Sequence, residues 1–268
     1  CNVDDWNELC ILVSKGFNSI NVAMLNDIDI SSSEFMLGES NSEYIGTFDG
    51  RGHTLTVNYN TTEQYSAPFR YVGEGAVIKN LHTAGTVKTS AKFAGGIVAR
   101  VSGSVTIDKC WSSVEINSSV NGDGTHGGIV ALAGPSSLSI ENCLFDGKLL
   151  GGNTHSCGGI MGWRDNDNTT VMKNVLFNPQ SVTMNTNDSG TFNRNISYIS
   201  VQFTNCYYTQ TFGSYSTLYK KISGTAQEQK SKLGNNWTVL DDKCVPLIVK
   251  DFFSIKSVED WNTFANLV

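Results

Sequence analysis

Proline is scarce in this chain, at 4 of 268 residues, and so is charge, with only 16% Asp, Glu, Lys and Arg. Against that background the 26 glycines and the many Asn, Ser and Thr residues favour short strands and turns over long helices. Basic runs are missing and the net charge is −6, so nothing follows a phosphate backbone and nucleic acid is excluded as a partner. No stretch approaches the roughly 18 to 20 apolar residues of a membrane-spanning helix, so no transmembrane segment is expected. No signal peptide pattern opens the chain, and Cys1 in place of Met reads as a piece of a longer polypeptide.

The seven cysteines form no CxxC pair, which removes zinc-ribbon, iron–sulfur and thioredoxin-like chemistry. With four histidines and no Ser, His and acid set in an elbow motif, no catalytic residue, metal site or cofactor is assigned. Asp27 with Asp29, and Asp165 with Asp167, put carboxylates at alternating positions, but two acids are too few for a calcium site. Six Asn-x-Ser/Thr triplets begin at Asn60, Asn117, Asn168, Asn187, Asn195 and Asn236, a number that a chain this rich in those residues produces by chance.

What the chain does have is internal repetition. Gly95-Gly96-Ile97-Val98-Ala99 recurs as Gly127-Gly128-Ile129-Val130-Ala131 and as Gly158-Gly159-Ile160-Met161-Gly162, with Gly190-Thr191-Phe192 about one period later. A second landmark keeps the same spacing through Asn80-Leu81, Lys109-Cys110, Asn142-Cys143, Asn174-Val175 and Asn205-Cys206. Short alternating segments such as Trp111 to Ile116 lie between them, without the helical stripe that a βαβ crossover needs. The expected fold is all-β, a right-handed parallel β-helix in which Ile97, Ile129 and Ile160, and Ile78, Ile107 and Ile140, stack inward from coil to coil. The Gly pairs answer to a corner that needs positive φ or a close approach of the next coil.

The ends differ from the middle. Val3, Trp6, Leu9, Cys10 and Val13 share a helical face, which predicts an amphipathic helix over 3–15 capping the coil and blocking edge pairing. Residues 224–235 read as weakly helical at best, and Trp237 to Val249 as closing extended structure. Val258-Glu259-Asp260-Trp261-Asn262 repeats Val3-Asp4-Asp5-Trp6-Asn7. The expected organisation is therefore one module over 1–250, and over 251–268 a linker and the start of a second tandem module. Neighbouring modules of the same polypeptide are the first expected partners.

These landmarks resemble the GLUG-motif repeat family. The resemblance rests on Gly159-Ile160-Met161-Gly162, on Gly96 to Ala99 and Gly128 to Ala131 without the final Gly, on Phe48 to Leu55, and on Asn80-Leu81, Asn142-Cys143 and Gly147, within about residues 3–215. It implies a scaffold from a secreted or cell-surface bacterial protein, adhesin-like or attached to an immunoglobulin-cleaving peptidase, and it implies no catalytic residues.

The expected function is a non-enzymatic extracellular structural or adhesive module with a glycan or protein ligand. Tyr207, Tyr208, Tyr215 and Tyr219, near Tyr198, Phe203 and Phe212, are the candidate ligand platform, or else they pack a broadened terminal core. The alternatives are a carbohydrate-active β-helix enzyme, a polysaccharide lyase or hydrolase, and an accessory region of a secreted peptidase. Acids clustered over adjacent coils within about 5 to 9 Å would favour the enzyme. Cys110, Cys143 and Cys206 are read as packing residues, because Leu81 and Val175 fill the same repeat position.

Overall fold

The computed structural model describes residues 1–165, 167–194 and 201–248. Strands stack in parallel from one coil to the next, so the chain winds as a β-solenoid of about six turns with two short helices. The first sheet runs Val22–Ala23, Thr47–Asp49, Val77–Lys79, Val105–Asp108, Ser136–Glu141, Asn168–Lys173, Gln202–Thr204. The second is built around His82–Thr89, which pairs with both Trp111–Ser112 and Glu115–Ser118 of the next coil. The third stacks Phe69–Val72, Val98–Val101, Val130–Ala133 and Met161–Arg164.

The repeats hold this register. Gly95 bridges Gly127, which bridges Gly158, which bridges Gly190, so the fourth glycine continues the series. Ile78 pairs with Ile107, Ile107 with Ile140, and Ile140 with Met172, all fully buried. Each such side chain contributes roughly 1.5 to 3 kcal/mol by leaving water. The second glycine of each pair is there for space rather than for φ. A Cβ on Gly96, Gly128 or Gly159 would strike the carbonyl oxygen of Gly128, Gly159 or Thr191 in the coil above.

The corner after the first sheet does use positive φ. Asn80, Lys109, Asn142, Asn174 and Asn205 all lie between +50° and +52°. Asn tolerates the left-handed region better than other non-glycine residues, so its recurrence there has a backbone cause. The next residue, Leu81, Cys110, Cys143, Val175 or Cys206, is buried on the inside of the corner.

The N-terminal cap forms as expected. Helix α1 (Val3–Ser14) starts from a capping box between Asn2 and Asp5 and buries Trp6, Leu9, Cys10 and Val13. The Trp6 ring meets Phe48 and Phe69 edge-on at 6.3 and 6.1 Å, plugging the first coils.

The C-terminal part departs from expectation in two ways. Residues 226–233 form a regular helix, α2 (Ala226–Leu233), because Thr225 and Glu228 make a second capping box. Trp237–Leu240 and Lys243–Pro246 then pair as an antiparallel hairpin, with Asp241 and Asp242 both at positive φ, the backbone of a tight two-residue turn. The hairpin lies along the flank rather than across the end. Trp237, Cys244 and Val245 cluster with Leu144 and Leu176 on the outside of the second sheet, and Asn236 and Lys243 hydrogen-bond Asn142 and Asp146. Of the Asn-x-Ser/Thr triplets, the one at Asn168 is closed to modification, since its side chain is buried and donates to the Gly134 carbonyl. The expected second module at 251–268 lies outside the described residues.

Candidate functional site

The structure divides the four candidate platform tyrosines. Tyr208 and Tyr219 are buried, and Tyr207 is half-buried beneath the flanking hairpin. Tyr219 packs against Phe192, Phe203 and Tyr208 at 4.5, 5.0 and 5.8 Å, and burial pushes its hydroxyl up to about 12. Phe212 is buried as well, whereas Tyr215 is 66% exposed. The expectation of a surface platform is thus corrected for Tyr208 and Tyr219. Among the described residues no further coil stacks on the last one, and these rings fill its core. Tyr198 lies outside the described residues.

A different aromatic surface is present on the outside of the third sheet. Successive strands place Tyr71, Arg100, Leu132 and Trp163 in one register row. Beside it, the corner before the sheet carries Tyr65, Phe93 and Thr125 in the left-handed region, at φ +63°, +71° and +47°. Tyr65 stacks on Phe93 at 4.7 Å with the rings 7° from parallel, and Tyr71 leans on Tyr65 at 5.3 Å. Arg100 lies over Tyr65 and donates to its hydroxyl at 3.2 Å. Arg70 lies over Tyr71 while pairing with Glu63 at 2.7 Å.

At the far end of the row Lys92, Phe93, Asp123, Leu132, Trp163, Asp165 and Arg194 surround a cavity of about 350 Å3. Arg194 covers the Trp163 ring at 4.6 Å and bridges Asp123 and Asp188. Burial works against ionisation of Asp123. The Thr125 hydroxyl, Lys92 at 2.9 Å and Arg194 at 3.3 Å outweigh it and hold the carboxyl below its ordinary range. The result is a stable carboxylate at neutral pH, not the proton donor that glycoside hydrolysis needs. Sequence reasoning missed this surface although its signal was present. Arg100, Leu132 and Trp163 each stand three residues after the Ile of a Gly-Gly-Ile landmark, and Phe93 and Thr125 two before its first Gly.

The fold also gathers a His, a Ser and an Asp that are far apart in sequence. His82 Nε2 lies 2.9 Å from Ser113 Oγ, which donates to Asp146 Oδ1 at 2.6 Å. Burial pushes His82 down to about 4, against the pull of Asp146, so the ring is neutral at pH 7. Ser113 gives its one proton to Asp146, so Nε2 carries the ring proton and Nδ1 accepts from Thr54 Oγ1 at 3.1 Å. That order is reversed from a nucleophilic triad, in which the base accepts from the serine and the acid orients the base. Asp146 also receives Trp111 Nε1 at 2.6 Å and Lys243 Nζ at 2.8 Å, and His82 stacks on Trp111 at 4.0 Å. The network ties the flanking hairpin to the coil.

The repeat cysteines are free thiols in the core. Cys110, Cys143 and Cys206 sit against the carbonyls of Ile78, Ile107 and Met172, one coil away. Burial raises Cys143 well above its ordinary value and Cys206 to about 11. His126 is also interior: Nδ1 accepts from the Ala94 amide, Nε2 meets Ser118 Oγ, and burial pushes the ring down to about 3. Asp27, one of the paired acids, accepts the Thr54 amide and faces His53 at 3.2 Å.

No family model matches this chain, and no curated protein matches it in sequence. Among solved structures it is similar to the crystal structure of a "putative immunoglobulin A1 protease" from Bacteroides ovatus, at 16% identity and a TM-score of 0.61, over 92% of this chain and 91% of that one. At that identity the likeness is one of fold.

Proposed function

We propose that the chain is a rigid, non-enzymatic structural and adhesive module of a secreted or surface-displayed protein, whose ligand face is the third-sheet surface from Tyr65 to Trp163. The carrying observation is the register row Tyr71, Arg100, Leu132 and Trp163, flanked by the stacked Tyr65 and Phe93. Rings held by the coil on either side cost little further entropy on binding, and guanidinium groups beside them supply directed hydrogen bonds. Glycan and protein surfaces are both suited to that combination. The resemblance to GLUG-motif repeats agrees with a surface setting. Glycan-array and immobilised-protein binding test the reading. Tyr71→Ala with Trp163→Ala is expected to weaken retained binding at least tenfold while Tyr215→Ala leaves it unchanged. Undiminished binding by the double variant removes the ligand face from this sheet.

A second reading, an accessory region of a secreted peptidase, is favoured by the fold likeness to the Bacteroides ovatus protein. It expects binding of immunoglobulin A1 without cleavage. Cleavage by the chain on its own would overturn the non-enzymatic reading.

A further inference from the structure

Among the described residues, large hydrophobic side chains that are exposed occur only near the two ends of the chain. Ile11, Phe17, Leu25 and Phe35 belong to the N-terminal cap and first coil, at 38 to 67% exposure. Tyr215 and Leu218 lie on the last coil at 66% and 62%, and Val239 and Leu240 on the flanking hairpin. The described residues of the middle coils, between 36 and 214, leave none exposed. A solenoid needs polar terminal faces to remain solitary, and apolar ones leave a surface to cover.

The two ends also differ in charge. Around α1 the exposed side chains include Asp4, Asp5 and Glu8, with Asp5 near the terminal amine of Cys1 at 3.5 Å and Lys15 as the basic residue after the helix. At the other end Lys220–Lys221, among the described residues the last strand of the second sheet, pairs on one side with Tyr207–Tyr208 and exposes both lysines. Lysines on an open edge discourage indiscriminate strand pairing and select an acidic partner. In the sequence, the acidic Trp signature of the cap returns as Val258-Glu259-Asp260-Trp261.

We propose that the two ends are complementary docking faces through which copies of this module stack head to tail, the acidic cap of one on the basic last coil of the next. The contact is heterologous, and because its two faces lie at opposite ends of the stacked strands, repeating it extends a linear array. This inference is independent of the ligand face on the third sheet.

The test uses the 268-residue chain itself, mixed as light and nitrogen-15-labelled copies. The opposite ends of the first sheet are six strand spacings apart, about 29 Å, so a zero-length carboxyl-to-amine cross-link between the cap and the last coil joins two copies. Mass spectrometry is expected to find Asp4 or Glu8 linked to Lys220 or Lys221 in mixed-isotope pairs. Sedimentation velocity is expected to show association that grows with concentration and weakens with salt. Lys220→Glu with Lys221→Glu, and separately Asp4→Lys with Glu8→Lys, should each associate at least tenfold more weakly. Mixing the two variants should restore a contact, a rescue that misfolding does not produce. A chain that stays monomeric to about 1 mM, failure of the rescue with both variants melting as the parent does, or cross-links joining Glu259 or Asp260 to Lys220 would each overturn the proposal.

Discussion

Asn174 donates its side-chain amide to Oδ1 of Asn142, one coil away, at 2.9 Å, and the two residues share a left-handed backbone at φ +52° and +50°. Asn205 repeats the contact on Asn174 at 2.9 Å, while Asn80 and Asn142 reach Asp49 and Asp108 instead. The corner is therefore both a conformational niche and a polar ladder along the solenoid.

Lys109 is the member of this row that cannot join the ladder, although it adopts φ +51°. Lys109→Asn is expected to raise stability by about 0.5 to 1 kcal/mol, by relieving the left-handed penalty and offering an amide to its neighbours. Lys109→Val should lower stability instead, since a β-branched side chain fits φ > 0 poorly. Urea denaturation midpoints of the two variants against the parent measure both effects.

Gly128 has no room for a side chain. A Cβ there meets the Gly159 carbonyl oxygen and the Phe145 ring. Gly128→Val is expected to cost about 3 kcal/mol through displaced coils, read as a lower thermal midpoint. An unchanged midpoint would assign the glycine pair some role other than close approach.

The buried histidines make stability depend on pH. His126 and His82 have folded values of about 3 and about 4 against an ordinary 6.5, so the unfolded chain binds protons that the folded one does not. Their contribution is fully present above pH 6.5 and is lost as pH falls toward the folded values. By pH 4.5 this loss is about 2 to 3 kcal/mol per ring. Melting temperatures between pH 7 and 4.5 should fall, and His126→Gln should make the fall shallower.

Asp146 holds three donors from two parts of the chain, Trp111 and Ser113 on the preceding coil and Lys243 on the hairpin, and is 2% exposed. Asp146→Ala leaves those donors unsatisfied and is expected to cost about 3 kcal/mol or more. Limited proteolysis should then cut preferentially between residues 223 and 248, as the hairpin loses its tether. Lys243→Met keeps the other two bonds and should be milder.

The coil was legible from sequence because a solenoid writes its geometry as a period. Gly95, Gly127 and Gly158 announce the close corner, and Leu81, Cys110 and Cys143 the interior row, since each position meets its own counterpart one coil away. The helix at 226–233 was legible too, in Thr225 and Glu228, but its polar composition masked it. The surface row Tyr71, Arg100, Leu132 and Trp163 was harder, since an outward position tolerates any side chain and leaves no recurring residue type to notice.

The sequence by itself therefore determined the coil, its register, the N-terminal cap and the packing role of the cysteines. All of these follow from local backbone demands and from burial repeated at a constant period. Only the tertiary structure decided that Tyr208 and Tyr219 close the core while Tyr65, Phe93 and Trp163 lie on one outer face, and that His82, Ser113 and Asp146 form a tether. A fixed offset from each Gly-Gly-Ile marks the outer row, but what packs against a residue from elsewhere in the chain decides whether it closes the core, stays on the surface or joins a tether, and no spacing along the sequence records that.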